Sequence, residues 1–213
     1  MNNFSPNMLK TFTECPRKYE LKYVKQITMP QKISTFEKGK KIHALANYYL
    51  RGDDISKLEK TLDKNELYTW EILKSNEYFQ KTCLKSEYYL SCKINDFWIG
   101  GRLDALVQDE NHFYILDYKT GSIPENPEYD WQTAVYLLAI SKFLKDTNAV
   151  FFIYIDLKNN LNYKIPLTKE LELKYMEGIT NICTKINRTN EFARNEKKCQ
   201  FCEYRKICYL SGD

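Results

Sequence analysis

The spacing of hydrophobic and polar residues changes several times along this chain of 213 residues, and each change predicts a different element. Ser5 before Pro6 is typical of an N-cap followed by proline at the first helical position, which predicts a helix over 6–14. Apolar residues at helical spacing predict a second helix over 36–50, and we expect 56–73 to be helical as well.

A meander of strands follows these helices, because short apolar runs are then separated by turn residues. The predicted elements are strands over 86–94, 97–107 and 113–119 with turns at 94–96 and 108–111, a helix over 129–144, strands over 150–157 and 161–166, and a helix capped by Thr168 that ends near Ile186. This order predicts a mixed α/β fold with one central sheet, in a single domain over residues 1–213.

The composition narrows the class of protein only slightly. A net charge of +4 permits a polyanion partner without indicating one. No apolar run approaches the roughly 18 residues that span a membrane, and the start, MNNFSPNMLKTF, lacks the pattern of a secretory signal. We therefore expect a cytoplasmic protein with no membrane partner, whose cysteines stay reduced, so that clustered thiols indicate metal binding.

The stretch GGRLDALVQDENHFYILDYKTG, residues 100–121, carries charged residues inside two strands that are otherwise apolar. Side chains alternate faces along a strand, so Asp117 and Lys119 point the same way, and a chain reversal near residue 110 places Asp104 about opposite Asp117. Two neighbouring carboxylates resist joint ionisation unless a cation lies between them. Oxygen ligands of this kind suit Mg²⁺ or Mn²⁺.

Lys119 and Tyr118 complete this candidate site. Beside a divalent cation, Lys119 is placed to orient a water, to help deprotonate it, or to stabilise charge on a phosphate. The backbone carbonyl of Tyr118 is a further candidate metal ligand. The alternative, from spacing alone, is a salt bridge between Asp117 and Lys119 on a solvated face.

The segments GRLDAL and ILDYKTG together resemble the core of the PD-(D/E)XK nuclease superfamily, in its RecB-like branch. The resemblance implies metal binding by Asp104 and Asp117 and assistance to hydrolysis by Lys119. It also implies a restriction-endonuclease-like α/β core, with a central mixed sheet flanked by helices. Leu103 stands where the superfamily name has proline, a departure that the branch tolerates.

Further residues match the RecB-like pattern. KGKKIHALANYYL places His43 on a helix where these nucleases carry a metal-binding histidine, although a lone helical histidine is more often a packing or surface residue. WQTAVYLLA sets Gln132 and Tyr136 four residues apart, matching the Q-x-x-x-Y motif that is associated with the active site and with DNA contact. Glu87 is either an additional carboxylate or a solvated edge-strand residue, and His112 is expected to lie exposed in a turn.

The C-terminal tail holds three cysteines at close spacing, Cys199, Cys202 and Cys208, and their thiols suit zinc or an iron–sulfur cluster. Cys15 is a candidate fourth ligand. The remaining thiols, Cys83, Cys92 and Cys183, lack ligand spacing and are expected to be buried small residues.

The set resembles the iron–sulfur subgroup of RecB-like nucleases, found in AddB-type subunits and in small CRISPR-associated adaptation nucleases. The resemblance implies that Cys15, Cys199, Cys202 and Cys208 hold a [4Fe–4S] cluster that joins residues 1–30 and 190–213 in a helical subregion. Zinc is the alternative metal.

The resemblance implies a metal-dependent DNA nuclease that acts near the ends of single strands. The size of the chain favours the CRISPR adaptation type, which trims DNA beside an integrase complex, over a phage or repair exonuclease of the same branch. A non-catalytic iron–sulfur scaffold that binds DNA is the alternative from another class. The sequence assigns no oligomeric state.

Overall fold

The structure is a computed structural model that describes residues 3–30, 33–110, 112–144 and 149–210, without the side chains of 33–38 and 210. The strands are β1 (Asn3–Phe4), β2 (Thr82–Ile94), β3 (Phe97–Asp109), β4 (His112–Lys119), β5 (Ala149–Asp156) and β6 (Leu161–Pro166). The α-helices are α1 (Pro6–Glu14), α2 (Pro16–Tyr19), α3 (Ile33–Leu50), α4 (Ser56–Glu59), α5 (Lys64–Lys74), α6 (Trp131–Phe143), α7 (Lys169–Arg188) and α8 (Arg205–Leu210), with a π-helix at Glu20–Val24 and 3₁₀ turns at Pro127–Tyr129 and Glu196–Phe201.

The strands form one sheet in the order β1-β3-β4-β5-β6, with β2 paired to β3. The β1–β3 and β4–β5 pairs are parallel and the other pairs are antiparallel, which confirms the predicted central mixed sheet. One face packs against α1, α6 and α7, and the other packs against α3 and α5. The α/β architecture with flanking helices is thus confirmed.

The sheet forks along β3, and the fork positions the site. One edge of β3 pairs with β2 over nearly its whole length, so β1 and β4 share the other edge. On that edge β1 pairs at Trp98 and Ile99, whereas β4 pairs only from Ala105 onward. Residues 100–104 of β3 therefore lie in the gap between the two strands, and Asp104 stands at the edge of the gap.

Several predicted boundaries need correction. The range 56–73 is helical at both ends, but the expected single helix is interrupted, because Asp63 begins a new helix by accepting hydrogen bonds from the backbone of Asn65 and Glu66. β2 begins at residue 82, earlier than predicted. His112 begins β4 and contacts Phe151, so its expected place in a turn is wrong. Asn111, the last residue of that predicted turn, lies outside the described residues.

The N-terminal and C-terminal segments are joined by hydrogen bonds. The backbone N–H of Arg17 donates to the Ala193 carbonyl at 3.1 Å, and the Asn195 amide donates to the Glu14 carbonyl at 2.8 Å. The hydroxyl of Tyr204 donates to a carbonyl in the loop after the π-helix at 2.8 Å. These bonds bring the first helices and the cysteine-rich tail against each other. None of the helices in the described ranges has the length and apolar character to cross a bilayer.

Candidate active site

The fork in the sheet opens into a cleft of about 880 Å³. Its lining includes the predicted residues His43, Glu87, Asp104, Asp117, Lys119, Gln132 and Tyr136. The structure therefore gathers into one cleft residues that are spread over almost a hundred positions in the sequence, from α3 to α6. Tyr118 follows Asp117 along β4, and its backbone contacts His43 and Asp104 at the cleft.

His43 reaches the end of the hairpin from α3. Its Nδ1 lies 3.3 Å from Asp104 Oδ1 and its Nε2 lies 3.0 Å from the Tyr118 carbonyl oxygen. Gly39, one turn earlier, lets α3 lie close to Thr120 at the end of β4, because a Cβ atom at position 39 would lie 3.2 Å from Thr120 Oγ1. The imidazole is thus held between a carboxylate and a carbonyl, and both of these are candidate metal ligands.

Asp104 and Asp117 are neighbours across the β3–β4 pair, as the sequence predicted. The last registered pair is Ala105 with Leu116, and the Tyr118 backbone N–H donates to Asp104 Oδ2 at 3.2 Å. Both carboxylates face the cleft. Asp117 is only 3% exposed, so the alternative of a salt bridge on a solvated face does not describe this residue.

Asp117 is held by two side chains. Lys119 Nζ forms an ion pair with Asp117 Oδ2 at 2.7 Å. The Gln132 amide donates to Asp117 Oδ1, and its carbonyl oxygen lies 3.5 Å from Lys119 Nζ. Gln132 therefore bridges the carboxylate and the ammonium and fixes their relative positions.

Glu87 lies beside Asp104, across the β2–β3 ribbon. Its backbone has a φ of +46°, which non-glycine residues rarely adopt. Its carboxylate pairs with Arg102 at 2.8 Å, and only about a fifth of its side chain is exposed. Glu87 is therefore not a solvated edge residue. Arg102 lines the same cleft and is not among the residues that the sequence predicted.

The cleft residues include a set that fits a divalent cation. Ligand atoms of His43, Glu87 and Asp104 all lie within 4.8 Å of one another, and within the described part of the chain this is the one set of three or more such groups. Ligands around an ion with bonds of about 2.0–2.6 Å are separated by up to about 4–5 Å. Asp117 is outside that set, although it shares the cleft.

Burial and charge perturb the acids of the cleft. Burial raises the pKa of Asp117 to about 6, repulsion from Asp104 adds to the rise, and Lys119 opposes it. Burial, followed by repulsion from Asp104, also raises the pKa of Glu87. The repulsion from Asp104 in both shifts shows that carboxylates are crowded in the cleft, which is the electrostatic condition that favours a bound cation.

In the two basic groups of the cleft, burial and the nearby carboxylates have opposite effects on the pKa, and the carboxylates prevail. Burial by itself lowers the pKa of Lys119, but attraction from Asp117 outweighs it and raises the pKa overall. Burial likewise lowers the pKa of His43, and the hydrogen bond with Asp104 together with the nearby carboxylates reverses the direction.

Tyr136 packs inside the protein and is 5% exposed. Its hydroxyl donates to the Arg102 carbonyl at 2.9 Å, and its ring stacks on Phe152. Within the described residues its polar contact is with the backbone of β3, two residues before Asp104. This geometry favours a role in shaping the strand.

The four cysteines expected to bind a cluster line a separate cavity of about 430 Å³ at the joined chain ends. Cys15 and Cys208 are buried, whereas Cys199 and Cys202 are partly exposed. The other three thiols lie apart from this cavity, and two of them, Cys92 and Cys183, are buried as expected. Cys83 is only partly buried.

Comparison with known proteins places the chain among nucleases. The profile of the PD-(D/E)XK nuclease superfamily matches residues 3–209. The CRISPR-associated exonuclease Cas4 of Francisella tularensis subsp. novicida is 21% identical over 204 residues, which are 95% of this chain and 91% of that protein. The RecB subunit of the RecBCD enzyme of Borreliella burgdorferi is 29% identical over 129 residues, which are 50% of this chain and 10% of RecB.

A solved structure shares the fold. The crystal structure of a Eubacterium rectale protein, provisionally named an exonuclease, superposes with a TM-score of 0.59 at 12% identity and covers 95% of this chain and 86% of its own. The fold likeness and the profile match over nearly the whole chain agree with the resemblance seen in the hairpin motifs. The chain belongs to the PD-(D/E)XK nuclease superfamily and is a DNA-hydrolysing enzyme.

Proposed function

We propose that this protein is a Mg²⁺- or Mn²⁺-dependent exonuclease that shortens single-stranded DNA from its ends. The observation that carries the proposal is the convergence of His43, Glu87 and Asp104 within 4.8 Å, in the cleft that also holds the Asp117–Lys119 pair. A scaffold that only bound DNA would have no use for a buried acid beside a lysine, because that arrangement costs stability.

The residues of the cleft would have different roles in the reaction. His43, Glu87 and Asp104 would hold the cation, with Asp117 and the Tyr118 carbonyl as further ligands. A bound divalent ion polarises a phosphoryl oxygen and lowers the pKa of water. Lys119, positioned by Asp117 and Gln132, places its ammonium where negative charge develops on the phosphate, and Gln132 keeps the lysine from turning away.

The test is cleavage of end-labelled linear single-stranded DNA with Mn²⁺ or Mg²⁺. We expect Lys119→Ala to lower the rate by about a hundredfold or more, while the control Lys174→Ala, on the exposed surface of α7, keeps full activity. A circular single strand, which has no end, should resist digestion. Equal rates for Lys119→Ala and the parent would overturn the proposed site, and rapid cutting of the circle would overturn the exonuclease assignment.

We further propose that Cys15, Cys199, Cys202 and Cys208 hold a [4Fe–4S] cluster that ties residues 1–30 to 190–213. A single zinc ion needs thiolate sulfurs about 3.8 Å apart, given Zn–S bonds of about 2.3 Å. In the described part of the chain these four thiols do not form such a single-ion set, but they do border one cavity. Iron and acid-labile sulfide in anaerobically purified protein would support the cluster, and stoichiometric zinc without iron would overturn it.

We propose trimming of DNA for CRISPR spacer acquisition as the biological role. The support is the Cas4 relative, which aligns over nearly its full length, whereas the RecB match covers a tenth of that subunit. To test this role, DNA with single-stranded overhangs is incubated with the protein, with and without the integrase encoded in the same genome, and the length of the overhangs is measured. Overhangs shortened to a defined length only with the integrase present would support the role. Unchanged trimming with and without the integrase would favour a phage or repair exonuclease.

A further inference from the structure

The β2–β3 ribbon extends beyond the cleft and has two unlike faces. Its inner face is apolar and packs into the core through residues such as Leu90, Cys92 and Ile99. The outer face is formed by three cross-strand pairs, and it is open to solvent along most of its length. These pairs are Tyr89 with Arg102, Ser91 with Gly100, and Lys93 with Trp98.

A groove of about 380 Å³ lies on this outer face, and we call it the outer groove. Tyr89 borders one end and is 65% exposed, and Trp98 borders the other and is 50% exposed. The small residues Ser91 and Gly100 lie between them. A Cβ atom at Gly100 would lie 2.5 Å from the Leu90 carbonyl oxygen, so the close packing at this point requires glycine.

The outer groove continues into the cleft through Arg102. The side chain of Arg102 is 68% exposed and lines the cleft beside Glu87, whereas its cross-strand partner Tyr89 lines the outer groove. Trp98 lies four residues before Arg102 on the same strand face, a distance of about 13 Å along the strand. A chain leaving the cleft at Arg102 would therefore pass Tyr89 first and Trp98 next.

We propose that the outer groove is a stacking track for single-stranded DNA whose terminal nucleotide lies in the cleft. This inference rests on the proposed function, because it assumes that the cleft receives DNA. Exposed aromatic rings stack on unpaired bases of any sequence, and neighbouring cations attract the phosphates. The outer groove has both: two exposed rings about 13 Å apart along the ribbon, with Arg102 at one end and Lys93 at the other.

Binding is measured without cleavage, by fluorescence anisotropy of labelled dT12 in EDTA. Trp98→Ala and Tyr89→Ala should each weaken binding by about fivefold or more, the loss expected for one stacked base. Trp98→Phe keeps an aromatic face and should bind within about threefold of the parent. The matched control is Tyr68→Ala, which removes a 69% exposed tyrosine on α5, away from the cleft and the outer groove.

A second readout uses the unaltered protein. Of its three tryptophans, Trp70 is buried and Trp98 is exposed. Adding dT12 should quench the fluorescence of the exposed Trp98, and this quenching should be lost in Trp98→Phe. Unchanged affinity in the alanine variants, together with no quenching in the parent, would overturn the stacking track.

Cleavage by the parent separates this inference from the proposed function. If the parent cleaves dT12 with Mn²⁺, while the outer-groove variants bind it as tightly as the parent does and dT12 causes no quenching, only the stacking track fails. If the parent neither binds nor cleaves dT12, both proposals fail.

Discussion

The hydroxyl of Tyr136 occupies the space that a side chain at position 101 would need. A Cβ atom at Gly101 would lie 2.6 Å from the Tyr136 oxygen, which donates to the Arg102 carbonyl at 2.9 Å. The tyrosine thus holds the β3 backbone in the gap where the sheet forks. This backbone leads directly to Asp104, so the Q-x-x-x-Y motif connects α6 to both strands of the hairpin.

Gly101→Ala should therefore impair cleavage without unfolding the protein. The new methyl group displaces the Tyr136 hydroxyl and shifts Asp104, and we expect the cleavage rate to fall about tenfold or more, since about 1.4 kcal/mol of lost transition-state stabilisation suffices. The measurement is the initial rate on single-stranded DNA with Mn²⁺, together with a thermal melt.

Two further variants make that experiment decisive. Gly178→Ala, in the middle of α7, meets Trp131 at an ordinary 3.7 Å, so it should keep full activity and gain about 0.5–1 kcal/mol of stability. Tyr136→Phe in the Gly101→Ala background removes the clashing oxygen and should restore part of the rate. An unimpaired Gly101→Ala enzyme would contradict the positioning role of Tyr136.

Gln132 should matter for the chemical step more than for DNA binding. Gln132→Met keeps the size of the side chain but removes its contacts with Asp117 and Lys119. We expect the rate at saturating DNA to fall about ten- to a hundredfold, because the lysine is no longer held in place. Single-turnover kinetics with saturating enzyme measure this step.

The control for Gln132 is Gln80→Met, which alters a glutamine on the surface that bonds to the Lys74 carbonyl. It should keep the parent rate. If Gln132→Met raised the DNA concentration needed for half-maximal rate and left the maximal rate intact, Gln132 would be a DNA contact instead.

The sequence predicted the geometry of the hairpin because strand periodicity and a short turn determine which side chains face each other. Asp104 and Asp117 follow from that geometry. The sequence also contains a signal for the start of α5, because Asp63 and Glu66 have the spacing of a capping box. The apolar spacing continues across this point over 56–73, so it predicted one helix. The two-residue strand β1 left no comparable signal, because its pairing with β3 is distant in sequence.

Other features depend on tertiary contacts that no local pattern encodes. The turned backbone of Glu87, with φ of +46°, brings its carboxylate toward His43 and Asp104, and a glutamate gives no hint of this conformation. Arg102 was missed, although its position two residues before Asp104 in the strand is a usable signal. His112 was misplaced because its ring packs on Tyr114 and Phe151, which are contacts made only in the folded sheet.

Cys15 should control the stability of the joined chain ends. If Cys15 binds the proposed cluster, Cys15→Ala should lose iron and visible absorbance, and its melting temperature should fall by several degrees. Trypsin should then cut faster after Lys197 and Lys198, which border the cavity of the four thiols. Mass spectrometry of timed digests locates the cuts.

Cys92→Ala is the matched control, because Cys92 is a buried thiol in β2 outside that cavity. It should keep its iron and its resistance to trypsin, with at most a modest loss of stability. A Cys15→Ala protein that retained the full iron content would remove Cys15 from the ligand set.

Glu66 should stabilise the helical layer that supports His43, and its effect should depend on pH. Its carboxylate accepts from the Asp63 backbone N–H at 2.9 Å and pairs with Lys41 of α3 at 2.9 Å. The hydrogen bond from Asp63, followed by that from Lys41, lowers the pKa of Glu66 below its ordinary value of 4.5. The stabilisation is therefore complete above pH 4.5 and is lost as the pH falls through the lower folded pKa.

Urea unfolding at pH 7, 5 and 3 tests this sign. Glu66→Gln should lower the free energy of unfolding by about 1–2 kcal/mol at pH 7 and 5, and the difference from the parent should shrink toward pH 3. Glu71→Gln, an exposed acid on the same helix that pairs with Lys74, should change the free energy by less than about 0.5 kcal/mol. A Glu66→Gln deficit that stayed the same at all three pH values would show that the ionised form of Glu66 is not what stabilises the contact between α3 and α5.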